Sequence, residues 1–192
     1  MPRTAFLVPG ANKLKPLRQG DLSNLCGVYS LVNGLQLALF PARPLRRREV
    51  ADLLQFAFSS LAGKSPVAGV VAKGMSDATW MRLCNVLVRY VAAEYDVPIK
   101  ASQDLRALAR TDWGMALRRI KCAIRAGSPV LVGLFGALDH YTVIAGYTDS
   151  RLLLFDSSGH KWVGTKGCGF AHGGAQPRHR ILKRSVTILR LA

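Results

Sequence analysis

Glutamate is almost missing from this chain. It occurs twice in 192 residues, and Asp and Glu together number 11 against 27 Lys and Arg, a formal charge of +16. After Asp156 acids stop altogether while seven basic residues follow. Arg outnumbers Lys two to one, a skew that genome composition alone can produce. Such a surface attracts nucleic acid, acidic protein and membrane headgroups alike and does not choose among them; a solvated basic surface is the default reading. Apolar runs of the roughly 18–20 residues that span a bilayer are absent. The N-terminal stretch has only the apolar residues Ala5 to Val8 before Pro9 and Gly10, too short for a secretory signal, so a cytoplasmic protein is expected. Cys26, Cys84, Cys122 and Cys168 form no CxxC pair, which argues against a secreted disulfide scaffold. No GxxxxGK[ST] phosphate loop occurs, and GCGFAH lacks the third glycine of a dinucleotide fingerprint, so no cofactor is expected.

What is present reads as one globular domain over 1–192, with 49% apolar and 20% charged residues. The first half is helical by period. Val28, Leu31, Val32, Leu35 and Leu39 share a face in a helix that starts near Leu25 and stops at Phe40-Pro41. Beyond the basic turn PARPLRRR, a second stripe runs through Val50, Leu53, Leu54, Ala57 and Leu61. AGKSPVAGVVAKG reads as a loop. Ser76 then caps a helix whose stripe is Trp80, Leu83, Cys84, Leu87, Val88 and Val91, making Cys84 a core residue. An extended piece at Val97–Ile99 precedes a helix capped at Thr111 or Asp112, with Trp113, Leu117, Ile120 and Ile124 inward and Gly127 as its stop; Cys122 is off that stripe. PVLVGLF, HYTVIAGY, RLLLFDS and SVTILRLA then read as strands. Helices first and strands later predict an α+β architecture. Ser157 to Arg180, with six glycines, reads as a long surface loop or flap.

Three residues stand out chemically. Cys26 opens the first helix, where the macrodipole and unpaired N–H groups favour a thiolate, and Gly27 after it allows close approach. His140 opens a strand after a glycine-containing loop. Asp156 ends the next strand. A three-residue loop, Tyr147 to Asp149, would oppose Gly146 to Ser150 and set His140 directly across from Asp156; a loop one residue shorter would place them on opposite faces. Together they make a nucleophile, a base and the group that orients the base. Gln19, seven residues before Cys26, adds a side-chain amide for an oxyanion hole beside the Cys26 N–H.

Gln19, the Cys26-Gly27 pair opening an apolar helix, GSPVLVGL, HYTVIAGY and FDSSG occur in the order found in papain-like cysteine peptidases. The chain resembles that family over roughly residues 19–40 and 127–159, closest to its bacterial double-glycine leader peptidase-like branch. The Gln-to-Cys gap is a residue longer than that branch suggests, and DSSG replaces its frequent DPxG. The resemblance implies a papain-like fold, with the nucleophile's helix packed on a C-terminal antiparallel sheet. It also implies a thiol hydrolase that cleaves a peptide or isopeptide bond in a polypeptide substrate through a thioester. The same triad serves acyl transfer or glutamine deamidation. The rival reading is a degenerate basic module that binds nucleic acid or an acidic partner. His160, Cys168, His172 and His179 share one Gly-rich stretch, yet their spacing lacks the thiolates and tight pairs of structural zinc, so no metal is expected. Arg46 to Arg48 begin a helix, the end where cations are disfavoured.

Overall fold

The computed structural model describes residues 4–20, 24–62, 67–109, 112–170 and 176–192. Among the described residues five α-helices lie in the first two thirds of the chain: α1 (Cys26–Leu39), α2 (Arg47–Ala62), α3 (Val67–Lys73), α4 (Asp77–Tyr95) and α5 (Trp113–Arg125). The predicted stripes face the core, although Leu54 of α2 and Trp113 and Leu117 of α5 are only half-buried. In α2, Val50, Leu53, Ala57 and Leu61 point inward, and in α4 all six expected positions do. The Ser76 hydroxyl caps α4 by accepting from Thr79 N–H at 3.3 Å, and the Asp112 carboxylate caps α5 by accepting from Met115 N–H at 2.9 Å. The cations at the start of α2 are answered by Glu49, which accepts from Arg46 N–H at 2.7 Å and pairs with Arg43 at 2.6 Å. The hydrogen bond from Arg43, then that from the Arg46 backbone, lowers the Glu49 pKa to about 2.

The strands are β1 (Phe6–Leu7), β2 (Ile99–Ser102), β3 (Val130–Gly136), β4 (His140–Tyr147), β5 (Arg151–Phe155), β6 (Trp162–Gly164), β7 (Cys168–Gly169), β8 (His179–Ile181) and β9 (Thr187–Leu191). They form one sheet whose main path runs β2-β9-β3-β4-β5-β6. Every pairing is antiparallel except β7 with β8. The class is therefore α+β. One edge of β3 is shared by two returning strands, with Leu131 facing Thr187 of β9 and Leu134 facing Ile181 of β8. α1 lies against β3, β4 and β9 and also touches α2 and α4. Its Val28, Leu31, Val32 and Leu35 meet Leu131, Val143 and Trp80 in one core. Among the described residues no helix is long and apolar enough to cross a membrane.

Three expectations need correction. AGKSPVAGVVAKG is not loop throughout: Val67–Lys73 form α3, closed by Gly74 at φ +79°, while residues 63–66 lie outside the described ones. The stretch from Ser157 to Arg180 carries β6, β7 and β8, so in its described part it is sheet-bound rather than a free flap. The third correction concerns the β4–β5 hairpin. Thr148 N–H donates to Arg151 O at 2.9 Å and Tyr147 faces Leu152, so the tip is the two-residue turn Asp149-Ser150.

Left alone, that register would put Asp156 opposite Val143, on the face away from His140. A bulge intervenes. Gly146 faces Leu153, yet Ile144 faces Leu154, so Ala145 is the extra residue on β4. The insertion shifts everything below it by one and brings Asp156 opposite Thr142. His140, two residues from Thr142, then shares the face of Asp156 and meets it diagonally rather than directly across.

Candidate active site

Cys26 is the first residue of α1; Leu25 before it has φ −92° and caps nothing through its side chain. The Trp80 indole of α4 holds this helix end through two contacts. Trp80 Nε1–H donates to Gly27 O at 3.1 Å, and a Cβ on Gly27 would stand 3.2 Å from Trp80 Cδ1. The close approach expected at Gly27 is thus made by an indole. Trp80 is wholly buried and stacks on Tyr141 with centroids 4.8 Å apart, so it has nowhere to retreat. Overpacking of this kind costs roughly 1–3 kcal/mol, against a helix-propensity gain of up to ~1 kcal/mol for Ala. Gly27→Ala should therefore lose about 1 kcal/mol in a urea melt and slow Cys26 alkylation, whereas a stabilised variant would show that α1 tolerates a shift there.

His140 opens β4 and is 7% exposed; Asp156, just past β5, is 2% exposed. His140 Nε2–H donates to Asp156 Oδ2 at 2.6 Å. The other oxygen, Oδ1, accepts from Ser158 N–H at 2.9 Å and His160 N–H at 3.0 Å. With three donors on its carboxylate, Asp156 is satisfied as an anion. Burial raises its pKa, but the His140 hydrogen bond and charge outweigh that and bring it down to about 2. His140 mirrors it. Burial disfavours the imidazolium, yet hydrogen bonds to Asp156 and to Cys26, followed by the charges of both, raise its pKa to about 9. Because Nε2 is committed to Asp156, Nδ1 is the nitrogen left for the Cys26 sulfur. His140 thus bonds to the Asp156 carboxylate and interacts with Cys26.

Gln19 is brought to the same corner by different contacts. Leu17 is fixed to α1 through Asn33, whose Oδ1 accepts from Leu17 N–H at 2.8 Å. Gln19 N–H donates to Ser157 O at 3.1 Å and its Nε2–H to Ser158 Oγ at 2.8 Å. The Gln19 Oε1 is buried with no hydrogen-bond partner among the described residues. A half-turn of the amide exchanges its ends: the Ser158 hydroxyl would donate to Oε1, and the NH₂ would take the place of the orphaned oxygen. Gln19 thus docks on the turn that follows Asp156, and that half-turn frees an amide donor there. Neighbouring Arg18 packs on Gly159, at φ +93°, where a Cβ would fall 2.5 Å from the guanidinium.

Sequence reasoning missed the support behind His140. Tyr141 donates its hydroxyl to Asp77 Oδ1, and Asp77 Oδ2 accepts from Arg184 Nε at 2.6 Å. Burial, then the Asp77 hydrogen bond, drives the Tyr141 pKa upward, so the phenol stays neutral. The signal was present but faint: Tyr141 follows His140 directly, and Asp77 directly follows the Ser76 cap. His160 also acquires a place, its ring meeting the His140 ring edge-on at 5.5 Å.

The remaining thiols separate cleanly. Cys84 and Cys168 are buried, and burial raises their pKa values to about 12 and about 11, while Cys122 is exposed. Among the described residues no group of three His, Cys, Asp or Glu could hold a metal ion; His172, one of the four weighed for zinc, lies outside them. No protein-family profile matches the chain, and no curated protein matches it as a relative.

Proposed function

We propose that the chain is a papain-like thiol hydrolase that cleaves a peptide or isopeptide bond in a polypeptide, with Cys26 as nucleophile, His140 as acid and base, and Asp156 as the group that orients His140. One observation carries this reading: His140 is bonded to Asp156 through one nitrogen while interacting with Cys26, and its pKa is raised to about 9 by both. A buried imidazole held protonated beside a sulfur at a helix start is the resting arrangement that thiol acyl chemistry requires.

The steps follow from where the proton sits. Sulfur attacks the substrate carbonyl and forms a C–S bond. The oxyanion is met by the Cys26 N–H and, after the half-turn of its amide, by Gln19. His140 passes its proton to the departing amine as the C–N bond breaks. The neutral imidazole then takes a proton from water, whose hydroxyl displaces sulfur from the thioester and releases the acid. Asp156 stays ionised throughout and fixes which nitrogen of His140 holds hydrogen. An amine in place of water would make the same steps an acyl transfer, and a side-chain amide as substrate would make them a deamidation.

Alkylation tests this. Iodoacetamide near pH 7 should label Cys26 at least ~10-fold faster than Cys122, although Cys122 is the more exposed thiol. His140→Ala should erase the preference. Equal labelling of both, with DNA or RNA binding that weakens as salt rises, would overturn the hydrolase reading and favour the basic binding module.

A further inference from the structure

A cavity of about 480 Å³ lies between the ends of β3 and β8 and the following turn, lined by Phe135, Phe170, Arg180, Ile181, Leu182, Lys183 and Arg184. Among the described residues three cations and no acid line it. Its floor is apolar, with Phe170 and Ile181 each 2% exposed. Two of the cations have partners: Lys183 donates to Leu108 O, and Arg184 pairs with Asp77. The Arg180 guanidinium has no ion pair among the described residues, so it is the charge most available to a visitor.

A run of ring contacts links the cavity to the start of α1, where the candidate nucleophile sits. Phe135 and Tyr141 stand edge to face with centroids 6.1 Å apart, both over Gly133, where a Cβ would be 2.9 Å from Phe135 and 3.2 Å from Tyr141. Tyr141 stacks on the Trp80 that holds Gly27, the residue after Cys26. On the far side, Arg184 reaches Tyr141 through Asp77. An extended peptide advances about 3.3–3.6 Å per residue, which brings the first or second side chain beside a bond held at Cys26 within reach of a pocket that adjoins Tyr141.

We infer that this cavity is the side-chain subsite of the candidate hydrolase, and that it selects a polypeptide carrying a carboxylate side chain next to the cleaved bond. The inference rests on the reading of Cys26 as nucleophile. A carboxylate is the peptide group that answers the guanidinium charge of Arg180, and its methylenes suit the apolar floor. Nucleic acid fits less well. Phe170 is buried and Phe135 is half-buried with Tyr141 set against it at right angles, which leaves little open ring face on which bases could stack.

Matched peptidyl acyloxymethyl ketones, differing only in Glu or Gln at the first or second residue from the ketone, test it. Each alkylates Cys26 by forming a C–S bond and expelling a carboxylate. The Glu probe should react about fivefold faster than the Gln probe, the order expected for one well-placed charge pair near the surface. Arg180→Ala should bring the two rates together, and Arg180→Glu should reverse them, with iodoacetamide labelling of Cys26 unchanged in both. Equal Glu and Gln rates on the native chain, with iodoacetamide still selective for Cys26, would overturn the subsite and leave the hydrolase standing. Loss of iodoacetamide selectivity in the native chain would overturn both. If Glu and Gln probes react alike while Arg180→Ala weakens binding of a single-stranded oligonucleotide, the cations serve nucleic acid and the inference falls.

Discussion

Asp156→Asn should cut turnover of an activated ester such as p-nitrophenyl acetate by about 10²–10⁴-fold while leaving the chain folded. The magnitude follows from hydrogen-bond accounting at one carboxyl group. Asp156 receives His140 on one oxygen and two backbone N–H groups of its own turn on the other. An Asn has a single oxygen to divide among them. If that oxygen keeps the turn, its NH₂ faces Nε2 of His140, which must then accept, and the ring's hydrogen moves to Nδ1 beside Cys26. A ring protonated at that nitrogen cannot take a proton from sulfur or water there. If the amide rotates instead, the turn loses two acceptor bonds and the cost moves to stability. Either way the anion that raises His140 is gone, so its titration by NMR should fall from about 9 toward or below 6.5. Unchanged ester turnover together with an unshifted His140 would mean that Asp156 merely closes a turn.

The contrast between Asp156 and its neighbours explains how much of this site was legible beforehand. Helical period alone identified the inward faces of α1, α2 and α4, because burying a stripe is a local requirement that a 3.6-residue repeat records. It also put Cys26 at a helix start. The pairing of His140 with Asp156 was expected for a reason that failed in detail: the turn is shorter than supposed, and the bulge at Ala145 restores the face that the shorter turn would have lost. Nothing in AGYTDSR announces an extra residue on one strand, since a bulge is set by how the whole ladder closes. The strands β6, β7 and β8 are two or three residues each and exist through partners up to 47 positions away, beyond the reach of local pattern. For the same reason Asp77, Tyr141 and Arg184 could not be grouped, separated as they are by 64 and 107 positions. The α3 helix was hidden by its small residues, although Val67, Val70, Val71 and Gly74 carried a weak helical spacing and stop.

The ion pair also predicts how stability should vary with pH. His140 is raised from 6.5 to about 9 in the fold, so its contribution is complete below pH 6.5 and fades as pH climbs through 9. Asp156 is lowered from 3.8 to about 2, so its contribution is complete above 3.8 and fades as pH falls through 2. Both are fully present only between about pH 4 and 6.5. They describe largely one interaction and are counted once, which from the His140 shift is about 3 kcal/mol, a large share of a typical domain's 5–15 kcal/mol. The acid side is not diagnostic, because Glu49, lowered to about 2, fades there as well. The alkaline side separates better. Burial raises Cys84 and Cys168 from 9.0, so their contributions start to fade only near pH 9 and leave the interval from 6.5 to 9 chiefly to His140. Urea midpoints should therefore fall steadily across that interval in the native chain. The slope should flatten in His140→Ala, while Cys84→Ala, destabilised at every pH, should keep it. A native midpoint that stays level from pH 6.5 to 9 would show that His140 carries no charge in the fold, and the resting state assigned to Cys26 and His140 would be lost with it.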